Sequence, residues 1–465
     1  MSPQPSRTGE PPVQSRGEPR ELTLAVGAPA HGGHCVARPV DDPGGRVIFV
    51  RHSLPGETVR ARLTEMTSRT WRADAVEILQ ASPDRVASVW PEAGPAGVGG
   101  GELAHVALDA QRIWKRWVLA DCLRRIGGQE VADAVASLPE ASGAAAVPIE
   151  PMPTDAAAQA STSARRRALA GTATRTRISL TVSEDGRPGM HAFRSGTVLP
   201  LHRLPLAVPA ITEIGLLERS RWRAHYRPGM RIEAIAPSGG EPVVLLDERL
   251  LTAQARSTGR RRVREVVDAS ALGLGELTYS VHAEGFWQVH VDAPRVLVER
   301  VVRGALGENL ERAAGRRVLE LYSGAGLFTL PLASLVGAGG QVLSLEGNEQ
   351  AVRDARRTLH DHPAARLASG RVSARSVREL AGSFTGGRPD VVVLDPPRQG
   401  AGREVIEAVS ALGAERIVLV ACDPAALARD LGTLLRAGYV LGSMSALDMF
   451  PHTHHFETIA VLDRS

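Results

Sequence analysis

Cysteine is scarce in this chain: 465 residues hold three, Cys35, Cys122 and Cys422, widely spaced. An odd, scattered set argues against a disulfide framework, points to a reducing compartment, and cannot by itself build a metal cluster. Long apolar runs are also missing. Nowhere do about 18 consecutive apolar residues occur, the minimum for a spanning helix. The amino-terminal MSPQPSRTGEPPVQSRGEP, rich in Pro, Ser, Gly and charge, has no apolar segment of a signal peptide. Residues 1–20 therefore read as a disordered tail, and the protein as cytoplasmic with no membrane partner. No internal repeat is present. The charge imbalance is small: 55 Lys and Arg against 51 Asp and Glu give +4, arginine supplying nearly all the positive charge. Such a balance is compatible with a polyanion partner without establishing one.

What is there suffices for about three domains, from roughly 150 residues per domain. Residues 21–85 alternate β-rich runs with Gly, Pro and Asp turns at short intervals, the pattern of a small five-stranded barrel. Within it, Leu54 to Met66 reads as an exposed hairpin carrying Arg60 and Arg62. Leu108 to Ile126 has apolar residues at spacings of three and four, an amphipathic helix with Trp114 and Trp117 in its apolar stripe. Residues 137–165, rich in Ala, Ser, Thr and Pro, read as a linker or poorly ordered insertion. Strand signals return from Ala173 to Leu201, where Arg175, Arg177 and Arg194 are candidates for a basic surface. The central region is thus taken as 86–275. From about residue 310, apolar strands alternate with helical segments: RRVLEL, QVLSLE, DVVVLD, RIVLVA and FETIAVL. This alternation specifies a parallel α/β sheet with ligands at the strands' carboxyl ends. The fold class is multidomain α/β: a small β-barrel, a central α+β region, and a Rossmann-like domain over 276–465.

The first strand of that domain runs into a small-residue loop and a helix, VLELYSGAGLFTLPLA. Gly324 and Gly326 permit a tight turn and close approach of a ligand. The third glycine of the dinucleotide fingerprint is absent, which favours a smaller adenosine cofactor over a pyrophosphate. Glu346 ends the next strand 22 positions after Gly324, near the roughly 20 expected of an acid bonding ribose hydroxyls. The pattern acid-x-Tyr322-x-Gly-x-Gly with a strand-end Glu resembles the S-adenosylmethionine site of class I methyltransferases. A sulfonium cofactor has no pyrophosphate, in keeping with the missing glycine.

DVVVLDPPRQG places Asp395 past an apolar strand, and the two prolines give it a rigid exit. Amino-group methyltransferases follow a similar Pro-Pro with an aromatic residue; Arg398 stands there instead. VLVACDPAALARDL puts Cys422 at the next strand end. Cysteine as a type is more often an inert core thiol, but a thiolate at this position can add to carbon 6 of uracil. The resulting enolate makes carbon 5 able to attack a sulfonium methyl. A base must then remove the carbon-5 proton, and Glu457 in DMFPHTHHFETIAVL is the candidate, ahead of His452, His454 and His455.

The blocks DPPRQG, ACDPAALARDL and DMFPHTHHFET resemble the signatures of the RNA 5-methyluridine methyltransferase family. The resemblance implies a nucleophilic Cys422, a general base Glu457, and a substrate uridine in tRNA or rRNA. EGFWQVH resembles the family's Phe-x-Gln element, implying that Gln288 contacts S-adenosylmethionine alongside Tyr322, Gly324, Gly326, Glu346 and Asp395. Residues 21–85 resemble its TRAM barrel, and Arg398 and Arg429 are candidate RNA contacts. The protein is expected to act as a monomer. Three departures accompany the match. WPEAGPAGVGGGELAHV lacks the cysteines on which many members carry an iron-sulfur cluster, so none is expected. Leu327 stands where members often have Asn, and GRVSARSV lacks the acid common after the third strand. Cytosine carbon-5 enzymes use a second cysteine near the Asp-Pro-Pro block, absent here. From another class, an RNA-binding protein with an inactive methyltransferase domain is the alternative.

Overall fold

The computed structural model describes residues 20–465, so the tail expected over residues 1–20 lies outside the described residues apart from Arg20. The chain divides into two compact units, the barrel up to Ala30 and from His34 to Pro83, and a second that takes His31–Gly33 and the remainder from Asp84 onward.

In the first unit, strands Glu21–Ala30, His34–Pro39, Ile48–Arg51, Thr58–Met66 and Trp71–Gln80 close into a barrel. Alternation decides which side chains enter it. Leu24, Val26, Ile48, Val50, Val59 and Ala61 fill the interior with Cys35. Arg60 and Arg62, on the outward face of the fourth strand, are each tied to a neighbouring strand, at 3.0 Å to Glu77 and 2.9 Å to Glu21.

The second unit is organised by an eight-stranded sheet. Its order is Ala365–Ser369, Gln341–Glu346, Arg317–Leu321, Val391–Leu394, Arg416–Ala421, Glu457–Arg464, Tyr439–Asp448 and Ile149–Pro151. The first five strands are parallel, and Glu457–Arg464 runs antiparallel to both neighbours. Apolar helices cover both faces, which is why its central strands are continuously apolar: Val391–Leu394 is buried throughout. The chain reverses direction of strand order beside Arg317–Leu321, and ligands bind at such a switch point. A six-stranded antiparallel sheet lies between Arg177 and Thr252, followed by the hairpin Arg262–Asp268 with Glu276–His282.

Some sequence expectations need correction. Residues 137–165 are not a linker: Ile149–Pro151 pairs in parallel with Tyr439–Asp448, and Ala141, Val147, Ile149, Met152 and Asp155 are buried. Ala141 and Ala146 pack into the core, and Arg116 donates to their carbonyls. Glu276, where the carboxyl-terminal domain is expected to begin, pairs with Asp268 in a hairpin. Trp114 is buried as expected, whereas Trp117 stays 40% exposed. Arg175 and Arg177 do not form a free basic face: Arg175 donates to Gly100 O, and Arg177 to Ala283 O, Gly285 O and Glu265. No helix among the described residues is long and apolar enough to cross a membrane.

Candidate active site

A cavity of about 1780 Å³ opens at the carboxyl edge of the parallel strands, lined by Gln288, Tyr322, Gly324, Glu346, Asp395, Arg398, Cys422 and Glu457 among others. Strand exits account for this convergence. Tyr322 follows Arg317–Leu321, Glu346 ends its strand, Asp395 follows Val391–Leu394, and Cys422 follows Arg416–Ala421. Glu457 arrives from the opposite direction: Thr458 pairs with Ala421, so Glu457, which precedes Thr458, and Cys422, which follows Ala421, lie at the same edge of the sheet.

The glycine loop is shaped by its backbone. Tyr322 adopts φ 65° and Gly324 and Gly326 φ 53° and 88°, a left-handed region costly for a side chain with Cβ. A Cβ on Gly326 would meet Ala355 at 3.3 Å, while one on Gly324 would point into open space. Glu346 fixes this loop through one oxygen, accepting from Gly324 N at 2.9 Å, while its other oxygen accepts from Asn348 N at 2.7 Å at the start of the next helix. A carboxylate has about four acceptor positions, so two remain for ribose hydroxyls. Glu320, the first residue of the motif, does not line the cavity. It is buried under the loop and accepts from Thr329 Oγ1 at 2.6 Å and Ser344 Oγ at 2.8 Å. Burial raises its carboxyl to about 7 against those hydrogen bonds.

At the reactive end, acids crowd around one cation. Burial and Glu346 push Asp395 up to about 7. Burial, with Asp395 adding to it, raises Glu457 well above the usual carboxylate range, and Arg398 opposes the rise. Cys422 is pushed up to about 12 by burial, Glu457 and Asp395, again against Arg398. Asp423 caps the following helix, Pro424–Arg436, accepting from Ala425 N at 3.0 Å and Ala426 N at 2.9 Å. Its proline sits in the first turn, where the missing N–H costs nothing. The Cys-Asp-Pro sequence thus holds the thiol at a fixed strand-to-helix corner.

The three histidines separate. His455 lines the cavity with its Nε2 at 3.3 Å from Arg398, and burial, His454 and Arg398 lower it to about 3. His454 faces Glu102 at 3.7 Å, and His452 is buried against Gln111. Arg429 lies outside the cavity lining, its guanidinium 3.4 Å from Gln399 O. Leu327 lines the cavity, and its carbonyl accepts from Tyr279 Oη at 3.0 Å. Gln111 and Lys115, which the sequence reading passed over, contact the connection leading to Glu457.

Known proteins match both units. The profile of the TRAM domain covers residues 18–76 and that of the tRNA (Uracil-5-)-methyltransferase family residues 276–465. A protein of Streptomyces avermitilis named as an RNA methyltransferase is 38% identical, over 95% of this chain and 98% of its own length. The 23S rRNA (uracil(1939)-C(5))-methyltransferase RlmD of Halomonas elongata is 29% identical, over 98% and 95% respectively. Among solved structures, the tRNA (uracil-54, C5)-methyltransferase of Pyrococcus abyssi, in complex with S-adenosyl-L-homocysteine, shares the fold with a TM-score of 0.61 at 20% identity, covering 94% of this chain and 99% of that one. With the barrel, the sheet and the strand-end motifs in agreement, the chain belongs to the RNA methyltransferases of the uracil-5 family and carries a TRAM domain.

Proposed function

We propose that the protein methylates carbon 5 of a uridine in tRNA or rRNA through a covalent adduct between Cys422 and carbon 6. The observation that carries this reading is the antiparallel pairing of Ala421 with Thr458, which turns Cys422 and Glu457 into one cavity from adjacent strands. S-adenosylmethionine would be held by Gln288, Tyr322, the Gly324 to Gly326 loop, Glu346 and Asp395, and would supply the methyl group.

The Cys422 thiolate adds to carbon 6, and the electron pair moves through carbon 5 toward the carbonyl oxygen as an enolate. Arg398 is the cation placed to favour the thiolate. Once carbon 5 carries the methyl, Glu457 takes its proton. The C–H pair then forms the carbon 5–carbon 6 double bond, the carbon 6–sulfur bond breaks, and its pair returns to Cys422. In the free protein the surroundings raise both Cys422 and Glu457, so the proposal requires that substrate binding and Arg398 shift both toward the ionised form. Arg398 at the cavity rim is the proposed RNA contact; Arg429, outside it, supports that role less.

Uracil is favoured over cytosine because Cys35 lies in the barrel core, Cys122 ends a helix, and neither lines the cavity. Relatives act on 23S rRNA and on tRNA, so both are carried as substrates. The test is denaturing electrophoresis of protein with unmodified transcripts and S-adenosylmethionine. Glu457→Gln should accumulate a covalent protein–RNA band and Cys422→Ala should form none; a band persisting in Cys422→Ala would refute the nucleophile.

A further inference from the structure

Among 55 basic residues the chain has one lysine, Lys115, and its side chain is fully buried. It lies in helix Leu108–Cys122, outside both regions matched by the family profiles. Gln111, four residues earlier and so on the same helix face, is equally buried. Both point at residues 448–456, the connection that leads into strand Glu457–Arg464.

The contacts are specific. Lys115 Nζ donates to the Asp448 carboxylate and, at 3.1 Å, to Phe450 O. Gln111 Oε1 accepts from His452 N at 2.7 Å, and its Nε2 lies 3.1 Å from His452 Nδ1 and 2.8 Å from Val106 O. The His452 carbonyl accepts from Leu103 N at 2.9 Å. His452 has φ 66°, a conformation that persists in a residue with a Cβ only where surrounding bonds impose it. Thr453 Oγ1 then donates to Phe450 O at 2.8 Å and accepts from His455 N at 3.2 Å, carrying the constraint to the cavity wall. A compact ammonium with three donors fits this enclosed pair of oxygens, where a planar guanidinium would need more room.

We propose that Gln111 and Lys115 are positioning residues that set the conformation of the 449–456 connection and thereby place Glu457 at carbon 5 of the substrate. This rests on Glu457 acting as the base. The step affected is the last one: proton transfer from carbon 5 to Glu457, formation of the ring double bond, and departure of the Cys422 sulfur. Adduct formation and methyl transfer are left to groups on other elements.

The full-length protein is incubated with methyl-labelled S-adenosylmethionine and unmodified 23S rRNA or tRNA transcripts, whichever the wild type labels. Methylated adduct and released methylated RNA are followed over time. Gln111→Met should form adduct at the wild-type rate, with unchanged KM for RNA, and release product about tenfold to a hundredfold more slowly, the range that a misplacement of about 1 Å produces. Release at the wild-type rate, or equal slowing of formation and release, overturns the proposal. If Gln111→Met does not fold, Gln111→Glu decides by the same ratio, being isosteric while losing the donor. Glu457→Gln run in parallel separates the two claims. If it fails to accumulate adduct, the base assignment falls; if it accumulates adduct while the Gln111 variants release normally, only the positioning role falls.

Discussion

The thiol of Cys422 offers a quantitative test in the free protein. Burial, Glu457 and Asp395 push it up to about 12. A raised acid is neutral below its pKa, so at pH 8 about one thiol in ten thousand is ionised, against about a quarter for an unperturbed cysteine. Since the thiolate is the nucleophile, alkylation of Cys422 by iodoacetamide at pH 8 should be roughly three orders of magnitude slower than that of a free thiol. The rate should climb about tenfold per pH unit from 7 to 10 without levelling. Peptide mapping by mass spectrometry distinguishes Cys422 from the buried Cys35 and Cys122. Arg398 acts in the opposite direction, so Arg398→Gln should slow alkylation further at every pH. A rate that plateaus below pH 9, or acceleration in Arg398→Gln, would refute the electrostatic account of the site.

Other consequences are as direct. Glu346→Ala removes a carboxylate that holds the glycine loop at Gly324 N and leaves acceptor positions for the ribose, and affinity for S-adenosylhomocysteine measured by calorimetry should fall about tenfold to a hundredfold, the value of one or two charge-assisted hydrogen bonds; unchanged affinity would remove Glu346 from the site. Ile149→Ala should cost about 2–5 kcal/mol in urea unfolding because the residue is a buried strand member, and no measurable cost would return residues 137–165 to the status of a linker.

The strand-end residues were legible because each follows an apolar run buried on both faces of a parallel sheet. RVLEL, QVLSLE, VVVL and RIVLVA end at Tyr322, Glu346, Asp395 and Cys422 with nothing but strand length to count. Ile149–Pro151 was not legible, since three residues carry no periodicity and their partner strand lies nearly 300 positions away in sequence. The pairing of Asp268 with Glu276 was obscured by the Gly-rich turn between them, which reads as punctuation between domains. Gln111 and Lys115 were missed because polar side chains on an amphipathic helix are ordinarily assigned to its wet face. A signal did exist: both fall at the four-residue spacing of Ala107, Leu119 and Leu123 within the apolar stripe, and a lysine there requires a buried partner.

The central claim is that this protein methylates uracil at carbon 5 through Cys422. Incubation with RNA lacking modifications and methyl-labelled S-adenosylmethionine, followed by digestion to nucleosides, tests it most directly. The account predicts label in 5-methyluridine for the wild type and none for Cys422→Ala. Label in 5-methylcytidine, or 5-methyluridine still made by Cys422→Ala, would contradict it.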